Sequence, residues 1–217
     1  MPDQKTRALT AIVIIGLLLA VGALVLFGWL ADEVLEGDTI RFDDHIRSEV
    51  HGFSNPPLTT AMLFFTTVGS LLVEGPLTAL LLWVFWRIRW RRAAVLLLIT
   101  LAGAAVLVVV LKLAFHRARP VPYFGLKTPG TYSFPSGHAL FAMCLYSILA
   151  SLIAGRISGR TLRVLIWMFA GVLIASIGFS RIYLGVHYPT DVIAGYAAGF
   201  IWVTAVSFGD RLHRLRL

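Results

Sequence analysis

His187 and Asp191 lie four residues apart, and Pro189 between them suits the opening turn of a helix. A carboxylate at that spacing reaches one imidazole nitrogen across a single turn. It fixes the tautomer and leaves the other nitrogen free to attack an electrophile. Upstream, Ser133-Phe134-Pro135-Ser136-Gly137-His138 stands directly before a long apolar run. Proline and serine open helices, and the first turn of a helix leaves its amides unbonded under a partial positive charge. Gly137 lets an anion approach those amides closely, and His138 falls on the same turn.

A third stretch is cationic. Lys112, His116, Arg117, Arg119 and Lys127 occur within residues 112–138, where there is no acid. Such a concentration without local counter-charge reads as an anion site, most often for phosphate. Lys112 and Arg119 are seven apart, so they share a face if the third helix continues outward, with Pro120 then ending it just after Arg119. Ser180 and Arg181 add a further cation shortly before His187. Singly, these pieces have ordinary explanations, such as capping serines, interfacial histidines and headgroup-facing cations. Together they form a parts list for phosphoryl transfer through a covalent histidine.

The elements that must position these residues follow from composition. Of 217 residues, 58% are hydrophobic and 14% charged, against roughly 25% charged in an ordinary soluble domain. That excludes a water-soluble shell, and the low charge excludes a disordered chain. One cysteine, Cys144, excludes an intrachain disulfide framework and a cysteine-rich zinc site. Apolar runs predict six membrane-spanning helices at about residues 8–30, 67–86, 93–113, 136–154, 164–180 and 190–209. The second is interrupted by Glu74-Gly75-Pro76. The first is too long for a typical cleaved signal and is read as a retained span. The runs lack the alternation of barrel strands. The fold class is therefore all-α, a six-transmembrane-helix bundle forming a single domain over residues 1–217. Short interfacial helices are expected after the first span, with Phe42, Ile46, Val50 and Phe53 toward the interface.

The charges between spans give orientation. Lys5 and Arg7, then Arg87, Arg89, Arg91 and Arg92, then Arg156, Arg160 and Arg163, and finally Arg211, Arg214 and Arg216 all fall on one side. The positive-inside rule places that side and both termini in the cytoplasm of a cell inner (plasma) membrane. The three chemistry-bearing stretches then face the periplasm or exterior. The net charge of +8 is mostly a topological signal and needs no nucleic acid. Glu74, an ionisable group deep in a span, is a functional candidate by default. Gly195 and Gly199 read as close helix packing.

Lys112 to Pro120 reads K-x6-R-P, Pro135 to His138 reads P-S-G-H, and Ser180 to Asp191 reads S-R-x5-H-x3-D. In that order, around six spans, the chain resembles the type-2 phosphatidic acid phosphatase family of integral membrane lipid phosphatases. Soluble vanadium haloperoxidases share the motifs, but the apolar spans exclude a soluble relative. The resemblance implies His187 as nucleophile, Asp191 as its orienting partner, and His138 as acid toward the leaving oxygen and then base toward water. It implies Lys112, Arg119, Ser136, Gly137 and Arg181 as the phosphate-binding set, with no metal and no cofactor. The substrate implied is a membrane lipid phosphate or diphosphate: undecaprenyl diphosphate, phosphatidylglycerol phosphate, phosphatidic acid or lipid A phosphate. His116 and Arg117, at variable positions of the first motif, are expected to contact headgroups, while Tyr123, Tyr132 and Tyr183 could line the site. Two other readings use the same residues, a lipid phosphotransferase and an anionic-lipid transporter or scramblase. Neither the oligomeric state nor the particular lipid is legible in the chain.

Overall fold

A computed structural model describes residues 4–128 and 130–215. Side chains are described from Ile14 to Arg214 apart from Pro129, so Lys5, Arg7 and Arg216 of the charge pattern lie outside them. The described residues form eight helices and no strand: α1 (Gln4–Glu36), α2 (Ile40–Gly52), α3 (Pro56–Val68), α4 (Leu71–Arg87), α5 (Arg91–Phe115), α6 (Gly137–Ala154), α7 (Arg160–Tyr183) and α8 (Pro189–Leu215). Helices α1, α5, α6, α7 and α8 are each long and apolar enough to cross a bilayer. Helices α3 and α4 together, bent by 46°, meet the same test as one broken span.

The apolar surplus faces outward. Leu18, Val25 and Phe169 are each about two-thirds exposed or more, as befits side chains whose solvent is hydrocarbon. Helix α6 occupies the centre, packed by α5, α7 and α8, and α1 lies along α8. On α6, Leu140, Cys144, Leu145 and Ile148 are almost fully buried and tie it into two core clusters with α5 and α8.

The second span differs from the expected single helix over 67–86. The apolar run begins at Pro56, where Asn55 caps the helix by accepting from the Leu58 N–H at 3.0 Å. The interruption falls at Gly69-Ser70, upstream of Glu74-Gly75-Pro76. Gly69 sits against Ile177 of α7 so closely that a Cβ there would lie 2.3 Å from the Ile177 Cγ2. Pro76 lies inside α4 and forfeits one backbone bond without ending the helix. The other predicted windows fall on α1, α5, α6, α7 and α8, and four of those helices run past the predicted bounds.

Helix α2 is the interfacial helix expected after the first span. Phe42 and Phe53 are exposed as anticipated, whereas Val50 turns inward onto Met62, Tyr183 and Leu184. The same inward side carries two buried charges, Asp43 and Arg47.

The contact between α6 and α8 sets the spacing of the two histidine-bearing stretches, and glycine makes it possible. A Cβ on Gly195 would meet the Ser136 carbonyl oxygen at 2.6 Å, and one on Gly199 the Leu140 carbonyl at 2.9 Å. Backbone cannot move aside as a flexible side chain can, so the helices would have to separate. Gly195→Ala is expected to destabilise by about 1–3 kcal/mol and lower the melting temperature in detergent by several degrees. Gly22→Ala, with open space around it, should leave the melt unchanged.

Candidate active site

His187 ends the α7–α8 connection, a turn that Gly185 makes possible with φ +71° while the Tyr123 backbone passes directly against it. The amides of Val186 and His187 both donate to the Arg181 carbonyl, at 3.1 and 3.3 Å, closing the turn. One turn into α8, Asp191 is fully buried. Its Oδ2 accepts from His187 Nδ1 at 3.2 Å, from the Tyr188 N–H at 2.9 Å, and from the Ser133 hydroxyl. The partners on both nitrogens assign the tautomer. Nδ1 carries the proton toward Asp191, and Nε2, 2.9 Å from Arg119 Nη1, offers its lone pair to that guanidinium. Burial pushes the His187 imidazole down to about 3 against the opposing pull of Asp191, so the ring is neutral at neutral pH.

Arg119 lies against this nitrogen, Lys112 and Arg181 stand in the same site, and none of the three forms an ion pair among the described residues. Arg119 donates from Nε to the Thr131 carbonyl (2.6 Å), from Nη2 to the Thr131 hydroxyl (3.0 Å) and from Nη1 to the Val186 carbonyl (2.9 Å). Burial lowers its pKa from the ordinary guanidinium value. Lys112 donates to the Tyr132 and Ser133 carbonyls, and Arg181 to the Thr66 hydroxyl. Their hydrogen-bond partners are neutral groups: carbonyls, hydroxyls and, for Arg119, the His187 imidazole. Two further groups point the same way: Arg181 Nε and Ser136 Oγ are buried with no hydrogen-bond partner in the structure.

The start of α6 completes the arrangement. The Ser136 N–H donates to the Asp191 carbonyl at 2.9 Å, pinning the helix opening to α8. The first helical bond is from Leu140 to the Ser136 carbonyl, so the Gly137, His138 and Ala139 amides have no helical acceptor. His138 lies within electrostatic reach of Arg181, His187 and Arg119, with its ring toward the Thr66 backbone. All eight residues expected from the motifs thus stand around one locus.

Two expectations are corrected. Lys112 and Arg119 do not share a helix face, because α5 stops at Phe115 and His116 caps it with left-handed φ of +47°. The two cations converge instead through a loop whose Ser133 N–H donates to the Arg117 carbonyl at 2.8 Å. Arg117 does not face headgroups. Its Nη1 donates to Asp191 Oδ1 (2.7 Å) and Thr190 (2.8 Å), and its Nη2 to Asp43 Oδ2 (2.6 Å) and Thr39 (2.9 Å). The segment without acids therefore borrows its counter-charges from α2 and α8. Despite the desolvation it suffers, the Arg117 guanidinium is held above its ordinary pKa by these two carboxylates.

Asp43, Arg47 and Thr66 are the site-building residues that the motifs do not reveal. Asp43 also accepts from the Thr190 N–H (3.0 Å) and hydroxyl (2.7 Å), and Arg47 donates to the Val121 (2.9 Å) and Gly185 (3.3 Å) carbonyls. Helix α2 thereby straps both site loops. A buried acid and base four apart were the available signal, but nothing in sequence separates Asp43 from the other acids of that segment. Tyr123 and Tyr183 pack elsewhere, whereas Tyr132 lines the cavity beside Lys112. Tyr123 stacks on His51 at 3.9 Å, Tyr132 meets His116 edge-on, and the Tyr183 hydroxyl is 2.7 Å from that of Thr59. Glu74 is buried on α4, with its Oε1 unpartnered among the described residues.

A buried histidine on a carboxylate, three cations that form no ion pair among the described residues and a free helix start, built into membrane-spanning helices, define a membrane phosphatase of one class. Residues 93–209 match the PAP2 superfamily, and the chain belongs to it. Its fold and relatives place it among the membrane lipid phosphatases of that type. It is 32% identical over 134 residues to phosphatidylglycerophosphatase B of Bacillus subtilis (strain 168), covering 61% of this chain and 64% of that protein. It is 34% identical over 155 residues to an undecaprenyl-diphosphatase of Sulfolobus acidocaldarius, covering 69% of each. The chain thus spans about two-thirds of the length of these relatives. The crystal structure of a transmembrane PAP2-type phosphatidylglycerolphosphate phosphatase from Bacillus subtilis superposes with a TM-score of 0.82 at 27% identity, over 89% of this chain and 96% of that one.

Removing Arg117 tests the ionic strap. Arg117→Met leaves two buried carboxylates without a cation and should cost about 3–5 kcal/mol of stability, read as a large fall in melting temperature. Adding Asp43→Asn to that variant should restore part of the loss. An unchanged melt for Arg117→Met would contradict the pairing.

Proposed function

We propose that this chain hydrolyses the phosphate or diphosphate ester of a membrane lipid through a phosphohistidine on His187. The observation that carries the reading is Nε2 of His187, an unprotonated nitrogen held 2.9 Å from the Arg119 guanidinium, which has no ion-pair partner among the described residues. When Arg119 yields that nitrogen to phosphorus, Nε2 forms the N–P bond as the P–O bond to the lipid oxygen, or in a diphosphate to the lipid monophosphate, breaks. Asp191 holds the positive charge that the imidazole gains. His138 gives a proton to the leaving oxygen, then takes one from the water that attacks the N–P bond, releasing phosphate and restoring His187. Lys112, Arg119, Arg181, Ser136 and the Gly137 amide hold the non-bridging oxygens as their charge shifts. These cations take the part that a metal plays in other phosphatases, so the reaction needs none.

A cavity of about 530 Å³ beside Lys112 supports a lipid substrate. Thr131, Tyr132 and Lys112 form its polar head, and Val109 and Leu113, both more than half exposed on α5, form an apolar wall toward the bilayer. The headgroup reaches the cations while the tail stays in hydrocarbon. Relatives named for phosphatidylglycerophosphate and undecaprenyl diphosphate favour those two among the candidate lipids, with phosphatidic acid and lipid A phosphate behind them. The arginine-rich connections support an orientation with both termini in the cytoplasm of an inner membrane and the site at its outer face.

Phosphate release by purified protein in detergent, assayed against the four lipids with EDTA present, tests this function. Release from at least one lipid is expected. His187→Ala should abolish it, and Asp191→Asn should lower kcat far more than it raises KM. Abolition by EDTA, or retention of turnover by His187→Ala, would overturn the mechanism.

A further inference from the structure

At the end of the bundle opposite His187, the first turns of α5 and the last turns of α8 enclose a cavity of about 620 Å³. Val95, Ile99 and Val206 form its apolar floor, and Arg91, Arg92 and Arg214 stand at its mouth. Asp210 is the one acid lining it among the described residues. It takes Nε and Nη2 of Arg92 at 2.8 and 2.6 Å and Nη2 of Arg214 at 3.1 Å. One carboxylate thus serves two guanidiniums. Among the described residues Arg91 meets the Trp86 ring, 5.2 Å from its guanidinium carbon, and Arg156 lies over Trp90 at 3.6 Å in the adjoining cavity. The local balance is strongly cationic.

We infer that this cavity is a binding site for an anionic phospholipid of the leaflet at that end, distinct from the substrate site. The positive-inside tendency accounts for arginines at helix ends, but it does not create an apolar groove running down from them. Val95 and Ile99 are 50% and 46% exposed, so the groove opens sideways to hydrocarbon rather than to water. A soluble phosphate or nucleotide would meet the arginines and leave that floor uncovered. A phosphodiester head over acyl chains satisfies both, as in basic pockets between membrane helices that hold anionic lipids. Because α5 carries Lys112 and α8 carries Asp191 at their far ends, the lipid would also brace two helices that build the catalytic site.

Native mass spectrometry of the full chain in detergent, titrated with phosphatidylglycerol or phosphatidylcholine of matched acyl chains, tests the site. Wild type should retain the anionic lipid with a preference of roughly tenfold or more, the worth of two arginines near a headgroup. Arg91→Gln with Arg214→Gln should bring that preference close to parity, while Arg91→Lys with Arg214→Lys should keep most of it. Arg119→Gln, at the opposite end, should leave it unchanged. An equal preference in the glutamine variant, or no preference in wild type, would overturn the inference. So would a preference lost in Arg119→Gln, which would place the lipid at the substrate site, or displacement by millimolar inorganic phosphate, which would make the occupant a free anion.

Discussion

The Asp191 carboxylate has no exposure to solvent and accepts from four groups that reach it along separate routes. His187 and Tyr188 come from the turn just before it, Ser133 from the loop after α5, and Arg117 from the start of that same loop. A buried carboxylate with several donors is held tightly, because losing any one of them leaves charge unsatisfied in a medium that does not solvate it. The orientation of the His187 ring, the path of the 116–136 loop and the seat of α8 are therefore one constraint. Through Arg117 the constraint extends to Asp43, and so to α2.

That ionic arrangement divides the cations into two groups with different work. Arg117 is spent on two carboxylates and is structural. Among the described residues Lys112, Arg119 and Arg181 hydrogen-bond carbonyl, hydroxyl and imidazole groups and form no ion pair. The bundle supplies the rigidity this requires. Gly195 lets the opening of α6 rest on α8, and the Ser136 N–H bond to the Asp191 carbonyl then links the helix start directly to the histidine's partner.

Much of this was legible in the chain because membrane residence writes itself in long apolar runs, and the chemistry sits in short motifs at their ends. The PSGH segment opening α6 and the four-residue spacing of His187 and Asp191 were read from local rules alone, and the structure places them accordingly. What was not legible depended on tertiary partners. Gly69 breaks the second span through its contact with Ile177, which no local pattern announces, whereas Pro76, the stronger local signal, breaks nothing. Arg117 read as a surface cation because its two acids lie 74 residues away on either side. Thr66, an ordinary threonine on an apolar helix, gains its place only when α3 packs on α7 and meets Arg181.

The proposed hydrolysis requires Nε2 of residue 187 to form a bond to phosphorus. The most direct measurement is mass-spectrometric mapping of protein quenched in alkali, where N–P bonds survive, early in turnover of a hydrolysed lipid. Phosphate on His187, absent in His187→Ala, is the result the account predicts. Turnover that leaves no phosphate on the chain, or places it on another residue, would contradict it.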